Sequence, residues 1–342
     1  RLRHVNDRMP GFSRKRAAKG FRYVDTQGRP LHDERHLARI KALAIPPAWS
    51  NVWICPYANG HIQATGCDAK GRKQYRYHKE WRAIRDEAKY DHMIDFAMHL
   101  PLIRKRVDAD LARTGLCKEK VLALVVALLE KTMIRVGNDE YARSNRSFGL
   151  TTLRNHHVDI LGGQIVFQFR GKSRIEHAIR LQNSRLARLI RKMKDLPGQE
   201  LFQYIDNDGH HYPINSSDVN QYLKDITGRN YSAKDFRTWS GTLHTFQALV
   251  SLEACESQTQ AKKNVMEAIT AAALKLGNTP TICRKCYVHP VIIETYMAGK
   301  LMGLIKENVS AQKNALESWA LDTAEQCVLQ LLQREAANAQ SR

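Results

Sequence analysis

Residues 276–290 read LGNTPTICRKCYVHP, and this stretch holds the side chain on which the interpretation of the whole sequence depends. Tyr287 follows the basic pair Arg284 and Lys285 and lies nine positions after Asn278. Most tyrosines pack into a protein with the hydroxyl hydrogen-bonded, so the stretch alone does not decide between structure and chemistry. In a strongly basic chain, however, a phenolic oxygen beside cations can attack a nucleic-acid phosphate and hold the strand covalently.

The chain carries a large excess of positive charge. Of its 342 residues, 54 are Lys or Arg and 34 are Asp or Glu, which gives a net charge of +20 and an isoelectric point of about 9.8. Such a charge opposes self-association and favours a polyanion, so we expect a monomer with a nucleic acid as its partner. A basic but otherwise ordinary enzyme, or a ribosome-associated protein, would have the same composition.

Hydropathy and cysteine usage predict the compartment. No run of 18 apolar residues occurs, so no membrane span is predicted. Seven cysteines spread over the chain suggest reduced thiols in a cytosol-like compartment, which for a nucleic-acid enzyme means the cytoplasm at the nucleoid. Cys283 and Cys286 form a CxxC pair, but two further ligands at zinc spacing are not evident, so neither a metal nor another cofactor is predicted.

The composition changes along the chain. Residues 1–90 are rich in Gly, Pro and aromatic residues and contain short β-like runs, whereas helical patterns dominate from about residue 91 onward. We therefore expect an α+β protein. It would have a small β-rich N-terminal domain over residues 1–90 and a larger, mainly helical domain over residues 91–342.

The first region has strand and turn signals around one helix. FRYVD (21–25), VWICPY (52–57) and HIQATGCD (61–68) are typical of strands, and Asn59-Gly60 between the last two is a strong hairpin signal. DERHLARIKAL (33–43) has helical spacing and stops before two prolines. In residues 71–79, GRKQYRYHK, cations alternate with tyrosines, which is typical either of a nucleic-acid contact or of a charged strand edge that prevents aggregation.

The second region contains helices separated by a β-patch. HVDI, QIVFQF and RIEHAI read as strands joined by turns at 162–163 and 170–173. An apolar helix is predicted over residues 118–134, ended by a Gly-Asn pair. Three further helices are predicted from capping residues. Asn183 or Ser184 caps a basic helix that reaches Lys194, and Ser216 and Ser217 cap a helix that Gly228 ends. Ser232 caps a helix that runs from Ala233 to about Cys255.

A tyrosine that attacks a phosphodiester needs partners of particular kinds. Fixed cations must meet the extra negative charge of the pentacoordinate transition state, and the leaving oxygen needs a proton. Candidates stand at predicted element ends: Arg135 after the apolar helix, Lys172 at a hairpin tip, Arg237 early in a helix, and Asn278 in LGNTP. Each has an ordinary structural explanation when it is considered alone.

The order and context of these residues resemble the type IB DNA topoisomerases, in particular the small poxvirus-like enzymes found in bacteria. The motifs that carry the resemblance cover nearly the whole chain, and they are FRYVD, GCDAKGRKQYRYHKEW, EKTMIRVGNDEYARSNRSFGLTTL, FRGKS, LPGQELFQY, DVNQYL, KDFRTWSGT and LGNTPTICRKCYVHP.

The resemblance implies a role for each residue. Tyr287 would be the nucleophile, forming a 3′-phosphotyrosyl link and releasing a 5′-hydroxyl strand. Arg135 and Arg237 would hold the non-bridging oxygens in the transition state, and Lys172 would protonate the leaving 5′ oxygen. Swivelling and religation would then relax positive and negative supercoils of double-stranded DNA. Neither ATP nor a metal would be needed, and the sequence indeed lacks a GxxxxGK[ST] loop.

Asn278 departs from the family pattern, in which the viral members carry histidine at this position. An asparagine amide can donate a hydrogen bond to a phosphate oxygen but cannot carry a proton as an imidazolium does. The resemblance therefore implies that this position needs a hydrogen-bond donor and not a titrating acid.

By the same resemblance, the N-terminal domain binds DNA on the face opposite the catalytic domain, so that the two domains form a clamp. The predicted DNA-binding residues are Arg72, Lys73, Gln74, Tyr75 and Tyr77, together with Lys234 in the catalytic domain. The basic helix ending at Lys194 is a further candidate, although a solvated face is about as plausible an explanation of its charges.

Two other functions share some of these features. A tyrosine recombinase uses the same nucleophile, but recombinases place histidine where this chain has Lys234, three residues before Arg237, and their N-terminal domains are helical. A non-catalytic DNA-binding protein of the same fold would have no need of a complete set of Arg135, Lys172, Arg237 and Tyr287.

Overall fold

The computed structural model describes residues 2–18, 20–69, 71–252, 257–303 and 320–340. The chain divides into two compact units, Arg1–Tyr90 and Asp91–Arg342. The fold is α+β, with an antiparallel sheet in the first unit and mainly helices in the second, which confirms the predicted class. Among the described residues, none of the helices is long and apolar enough to cross a membrane.

The first unit is built on a five-stranded antiparallel sheet in the order β2-β1-β3-β4-β5. Its strands are β1 (Phe12–Ala17), β2 (Gly20–Val24), β3 (Ser50–Ile54), β4 (Ile62–Cys67) and β5 (Lys73–Tyr77). Helix α1 (Glu34–Ala42) begins after Asp33, whose carboxylate accepts hydrogen bonds from two backbone N–H groups. Ile40 of this helix packs with Phe12, Val52 and Ile54 of the sheet, which gives the unit its own core.

The hairpin predicted at Asn59-Gly60 is present, but its loop is wider than a tight turn. β3 pairs with β4, and residues 55–61 connect them. Buried Gln63 fills this loop, since its Nε2 donates to the backbone oxygens of Tyr57, Ala58 and Gly60. A loop of this width leaves backbone carbonyls without partners in the sheet, and the Gln63 amide pairs with three of them.

The second unit has a helical core, a three-stranded sheet and a small hairpin. Helix α2 (Lys79–Leu111) begins in the last residues of the first unit and continues into the second. The other helices of the second unit are α3 (Lys118–Thr132), α4 (Asp139–Asn145), α5 (Ser184–Lys194), α6 (Ser216–Thr227), α7 (Ala233–Ser251), α8 (Gln258–Leu276), α9 (Pro280–Cys286), α10 (Pro290–Met297) and α11 (Thr323–Gln340). Its strands are β6 (Val158–Leu161), β7 (Gln164–Arg170) and β8 (Glu176–Gln182), in the order β6-β7-β8, and the hairpin β9 (Gln203–Ile205) and β10 (His211–Pro213).

Helices α3 and α7 form the centre of this unit. α3 is buried along most of its length, as expected from its apolar sequence, and it contacts α6, α7 and β9. α7 in turn contacts α8, α10 and α11. Glu325 of α11 fixes this arrangement, because it accepts hydrogen bonds from Trp239 Nε1 of α7 and from Arg104 of α2.

Several predicted helix ends need correction. α3 stops at Thr132 and not at residue 134, because Met133 adopts a left-handed backbone conformation with φ 55°. The cap of α6 is Asn215, whose side chain accepts from two backbone N–H groups, and not Ser216 or Ser217, which are already helical. α7 ends at Ser251, and Cys255, its predicted end, lies outside the described residues.

Candidate active site

The predicted catalytic side chains converge on one cleft of the second unit. The cleft has a volume of about 350 Å³ and is lined by Arg135, Lys172, Lys234, Arg237 and Tyr287. They come from the loop after α3, the β7–β8 hairpin, the beginning of α7 and the end of α9, so segments far apart in sequence form one pocket. Asn278 joins them through a hydrogen bond to Arg135.

Arg237 is held by the carboxyl ends of two helices. One guanidinium nitrogen donates to the carbonyl of Met133, which follows α3, and the other donates over 2.7 Å to the carbonyl of Leu276, the last residue of α8. Such terminal carbonyls lack partners within their own helix and carry partial negative charge. The two helix ends thus fix the guanidinium and compensate part of its charge.

Arg237 remains a cation in this setting although it is only 4% exposed. Burial, and then the charge of Arg135, lower the pKa of Arg237 to about 10, while Tyr287 acts in the opposite direction. A pKa near 10 still leaves the side chain protonated at neutral pH. Its Cζ lies 5.3 Å from the centroid of the Tyr287 ring.

Arg135 and Asn278 form a second pair of polar groups. Arg135 Nη2 donates to Asn278 Oδ1 over 2.7 Å. Asn278 Nδ2 is buried and, within the described residues, has no hydrogen-bond partner. Because an unpaired buried N–H group is costly, a donor left open next to two arginines indicates a place for an anionic acceptor.

A short helix connects Asn278 with Tyr287. α9 begins after Thr279, whose hydroxyl caps the helix, and has Pro280 in its first turn. Tyr287 follows directly after its end, where its backbone N–H still donates to Cys283 over 2.9 Å. The nine-residue spacing between the two candidates is therefore the length of one capped helix, and the tyrosine side chain is half-buried at its end.

Lys172 stands at the tip of the β7–β8 hairpin, as predicted, and is exposed. The two residues after it, Ser173 and Arg174, adopt left-handed conformations with φ values of 63° and 62°. Non-glycine residues rarely adopt this conformation, and clusters of them are found where a chain displays a functional group. The turn is closed by a hydrogen bond of 2.7 Å from the Gly171 N–H to the Ile175 carbonyl.

His177 of β8 is a neighbour of the site that the sequence did not reveal. A Cβ atom on Gly171 would lie 2.5 Å from the imidazole Nε2, and one on Gly277 would overlap the ring. The imidazole therefore packs against the residue before Lys172 and the residue before Asn278 at once.

The surroundings of the His177 imidazole favour its neutral form. Burial, followed by the charges of Arg135 and Arg237, lowers its pKa. Phe169 stacks against the ring with the centroids 5.0 Å apart. A further positive charge on His177 beside these two arginines would be unfavourable.

The other predicted DNA-binding residues lie on or next to β5, the edge strand of the first unit. Tyr75 and Tyr77 are 42% and 43% exposed, and their rings stack with centroids 5.8 Å apart. Lys73 pairs with Asp7 over 2.5 Å, and Arg72 pairs with Asp68 over 2.7 Å. Gln74 Nε2 also donates to Asp68. The two cations that precede the exposed tyrosines on this strand thus already have carboxylate partners.

Candidate metal ligands are found away from the cleft. In the part of the chain that the structure describes, Asp206, Asp208 and His210 are close enough together to hold a cation. They belong to the β9–β10 turn, and Asp206 Oδ1 accepts from the backbone N–H groups of the other two residues, as a turn carboxylate ordinarily does.

Cys283, of the CxxC pair, is buried, and burial raises the pKa of its thiol to about 11. This disfavours the thiolate that zinc requires.

Comparison with known proteins identifies the chain. The family model described as "Eukaryotic DNA topoisomerase I, catalytic core" matches residues 78–315, which places the chain in the class of DNA topoisomerases. The model "Bacterial DNA topoisomerase IB, N-terminal domain" matches residues 20–68.

Two viral relatives agree with the family models. The "DNA topoisomerase 1B" of Acanthamoeba polyphaga mimivirus is 34% identical over 297 residues, covering 84% of this chain and 88% of the relative. The protein of the same name from vaccinia virus (strain Copenhagen) is 27% identical over 236 residues, covering 67% of this chain and 70% of the relative. The chain belongs to the type IB DNA topoisomerase family and is an enzyme of that type, which confirms the resemblance. Its bacterial origin and monomeric state stay predictions.

Proposed function

We propose that the protein relaxes positive and negative supercoils in double-stranded DNA by cutting and resealing one strand through Tyr287, without ATP or a metal ion. The observation that carries this proposal is the convergence of Arg135, Lys172, Arg237 and Tyr287 on one cleft. A DNA substrate agrees with the net charge of +20 and implies action in the cytoplasm, at the nucleoid.

In the cleavage step the phenolic oxygen of Tyr287 attacks the phosphorus of a backbone phosphodiester. A phosphorus–oxygen bond to the tyrosine forms, the bond to the 5′ oxygen breaks, and the phenolic proton passes to solvent. Arg237, whose Cζ lies 5.3 Å from the ring centroid, favours negative charge on the attacking oxygen. Lys172, at its exposed hairpin tip, gives a proton to the leaving oxygen.

The transition state carries more negative charge than the ground state, and the site offers donors for it. Arg135, Arg237 and Asn278 Nδ2 would bind the non-bridging oxygens, and they are held in place before the substrate arrives. Preorganised donors of this kind lower the barrier because no reorganisation is needed during the reaction. Religation is the reverse sequence, with the 5′-hydroxyl attacking the phosphotyrosine, and rotation of the free strand between the two steps removes supercoils.

We further propose that Tyr75 and Tyr77 contact DNA sugars or bases, supported by Gln74, and that Arg72, Lys73 and Lys234 contact phosphates. Lys234 lines the cleft, and a lysine in the first turn of a helix is disfavoured by the helix dipole unless an anion is nearby. Arg72 and Lys73 would exchange their carboxylate partners for phosphates on binding.

The direct test of the proposed function is plasmid relaxation in EDTA without nucleotide. We expect catalytic amounts of the protein to relax both positively and negatively supercoiled plasmid to completion, since the energy of the phosphodiester is conserved in the phosphotyrosine. Agarose gels with intercalator resolve the products. A requirement for Mg²⁺ or ATP, or relaxation of one sign of supercoil only, would contradict the proposal.

Asn278→Asp tests the role of the buried amide. The aspartate keeps the shape and the contact with Arg135 but replaces the Nδ2 donor by a carboxylate oxygen that repels the phosphate. We expect cleavage to slow by roughly 10²–10³-fold, the usual effect of losing one transition-state donor. Asn278→Gln, which keeps an amide, serves as the comparison. Single-turnover cleavage at the parent rate in the aspartate variant would remove Asn278 from the site.

A further inference from the structure

The backbone around Tyr287 is fastened to α7 by a single hydroxyl group. Thr242 is fully buried, at 0% exposure. Its Oγ1 donates to the carbonyl of Tyr287 over 3.0 Å and accepts from the backbone N–H of His289 over 3.1 Å. One hydroxyl thus pairs with a backbone carbonyl and a backbone N–H of the turn that follows the nucleophile.

The neighbouring residue of α7 brings the same turn still closer. A Cβ atom on Gly241 would lie 2.8 Å from the Cβ of Tyr287 and 2.9 Å from its carbonyl oxygen. Side-chain atoms do not approach this closely, so the helix and the turn can meet only because residue 241 has no side chain. The backbone of α7 is in direct contact with the nucleophile's own backbone.

α7 also carries Arg237, one helical turn before Gly241. Residues four apart lie on the same face of a helix, so the arginine and the docking surface point the same way. The position of Tyr287 relative to Arg237 therefore depends on how the turn of Tyr287 packs against α7. α7 thus carries both the proposed catalytic arginine and the surface that contacts the turn of Tyr287.

From this geometry we infer that Thr242 is a positioning residue that sets where the Tyr287 oxygen stands relative to Arg237 and the bound phosphate. The inference rests on the proposed role of Tyr287 as nucleophile. Without the hydroxyl, the carbonyl of Tyr287 and the N–H of His289 lose their common partner, and the turn is free to shift. A displacement of about 1 Å at a reacting atom can cost on the order of 10²-fold in rate.

The experiment compares Thr242→Val, Thr242→Ser and Thr245→Val in the full chain. Thr245 is a matched control: it is also 0% exposed on α7, but its hydroxyl donates over 2.8 Å to Gly241 of its own helix and does not reach the turn of Tyr287. The measurements are single-turnover cleavage of a suicide duplex at saturating enzyme, DNA affinity and the thermal unfolding midpoint. If Thr242→Val does not fold, Thr242→Ala replaces it and is interpreted in the same way.

We expect Thr242→Val to cleave about 10–10²-fold more slowly with unchanged DNA affinity. Thr242→Ser, which keeps the hydroxyl, and Thr245→Val should both cleave close to the parent rate. An equal loss in Thr242→Val and Thr245→Val, no rescue by serine, or a loss confined to DNA affinity would overturn the inference. A Tyr287→Phe variant that still forms the covalent complex would instead refute the proposed function, so the two failures can be told apart.

Discussion

Tyr287→Phe is expected to abolish the covalent protein–DNA complex and to leave non-covalent DNA binding nearly intact. The change removes one oxygen atom and keeps the aromatic ring, whose centroid lies 5.3 Å from Arg237 Cζ. It also keeps the backbone contacts that hold the turn, because these involve the Tyr287 carbonyl and not its side-chain oxygen. Loss of the nucleophile in an enzyme with a covalent intermediate costs on the order of 10⁶-fold, so relaxation should fall below detection.

The covalent complex is measured by trapping with denaturant on an end-labelled duplex, and binding is measured by filter retention in parallel. Tyr212→Phe is a suitable control, because this tyrosine is 44% exposed on β10 and is not among the residues that line the cleft. We expect the control to trap DNA as the parent does. Trapping by Tyr287→Phe would mean that another side chain is the nucleophile.

The sequence predicted which residues could act together but not how the backbone presents them. Arg237 was expected early in a helix, where it is found. The hydrogen bonds that hold its guanidinium were not predictable, because they depend on the left-handed conformation of Met133 and on the end of α8. The predicted helix over residues 118–134 is too long because local propensity allows it to continue, whereas the left-handed conformation of Met133 ends it.

Residues that act through packing were missed altogether. The sequence does show a glycine directly before Lys172 and before Asn278, but it cannot tell that His177 fills the space beside both of them. Thr242 is likewise an ordinary helix residue in KDFRTWSGT, and its partners lie 45 and 47 positions away. Chemistry-bearing residues have recognisable types and contexts, whereas a positioning residue is defined by the three-dimensional neighbours it satisfies.

Lys172→Ala is the second prediction with a large expected effect. If Lys172 protonates the leaving 5′ oxygen, its loss should slow cleavage of an ordinary duplex by about 10²–10⁴-fold, the usual contribution of general acid catalysis. A duplex with a 5′-bridging phosphorothiolate should be cleaved by the variant almost as fast as by the parent, since a thiolate leaves without needing a proton. Cleavage rates on the two substrates are measured under single-turnover conditions at saturating enzyme.

Lys234→Ala provides the comparison that separates acid catalysis from phosphate binding. Both lysines line the cleft and both are exposed, so charge and accessibility do not distinguish them. Lys234 stands on α7, whereas Lys172 stands on a hairpin tip whose next two residues have φ values of 63° and 62°. If Lys234 only binds phosphate, its removal should slow both substrates by the same factor. An equal loss on both substrates for Lys172→Ala would remove it from the acid role, and sulfur rescue of Lys234→Ala alone would transfer that role to the helix lysine.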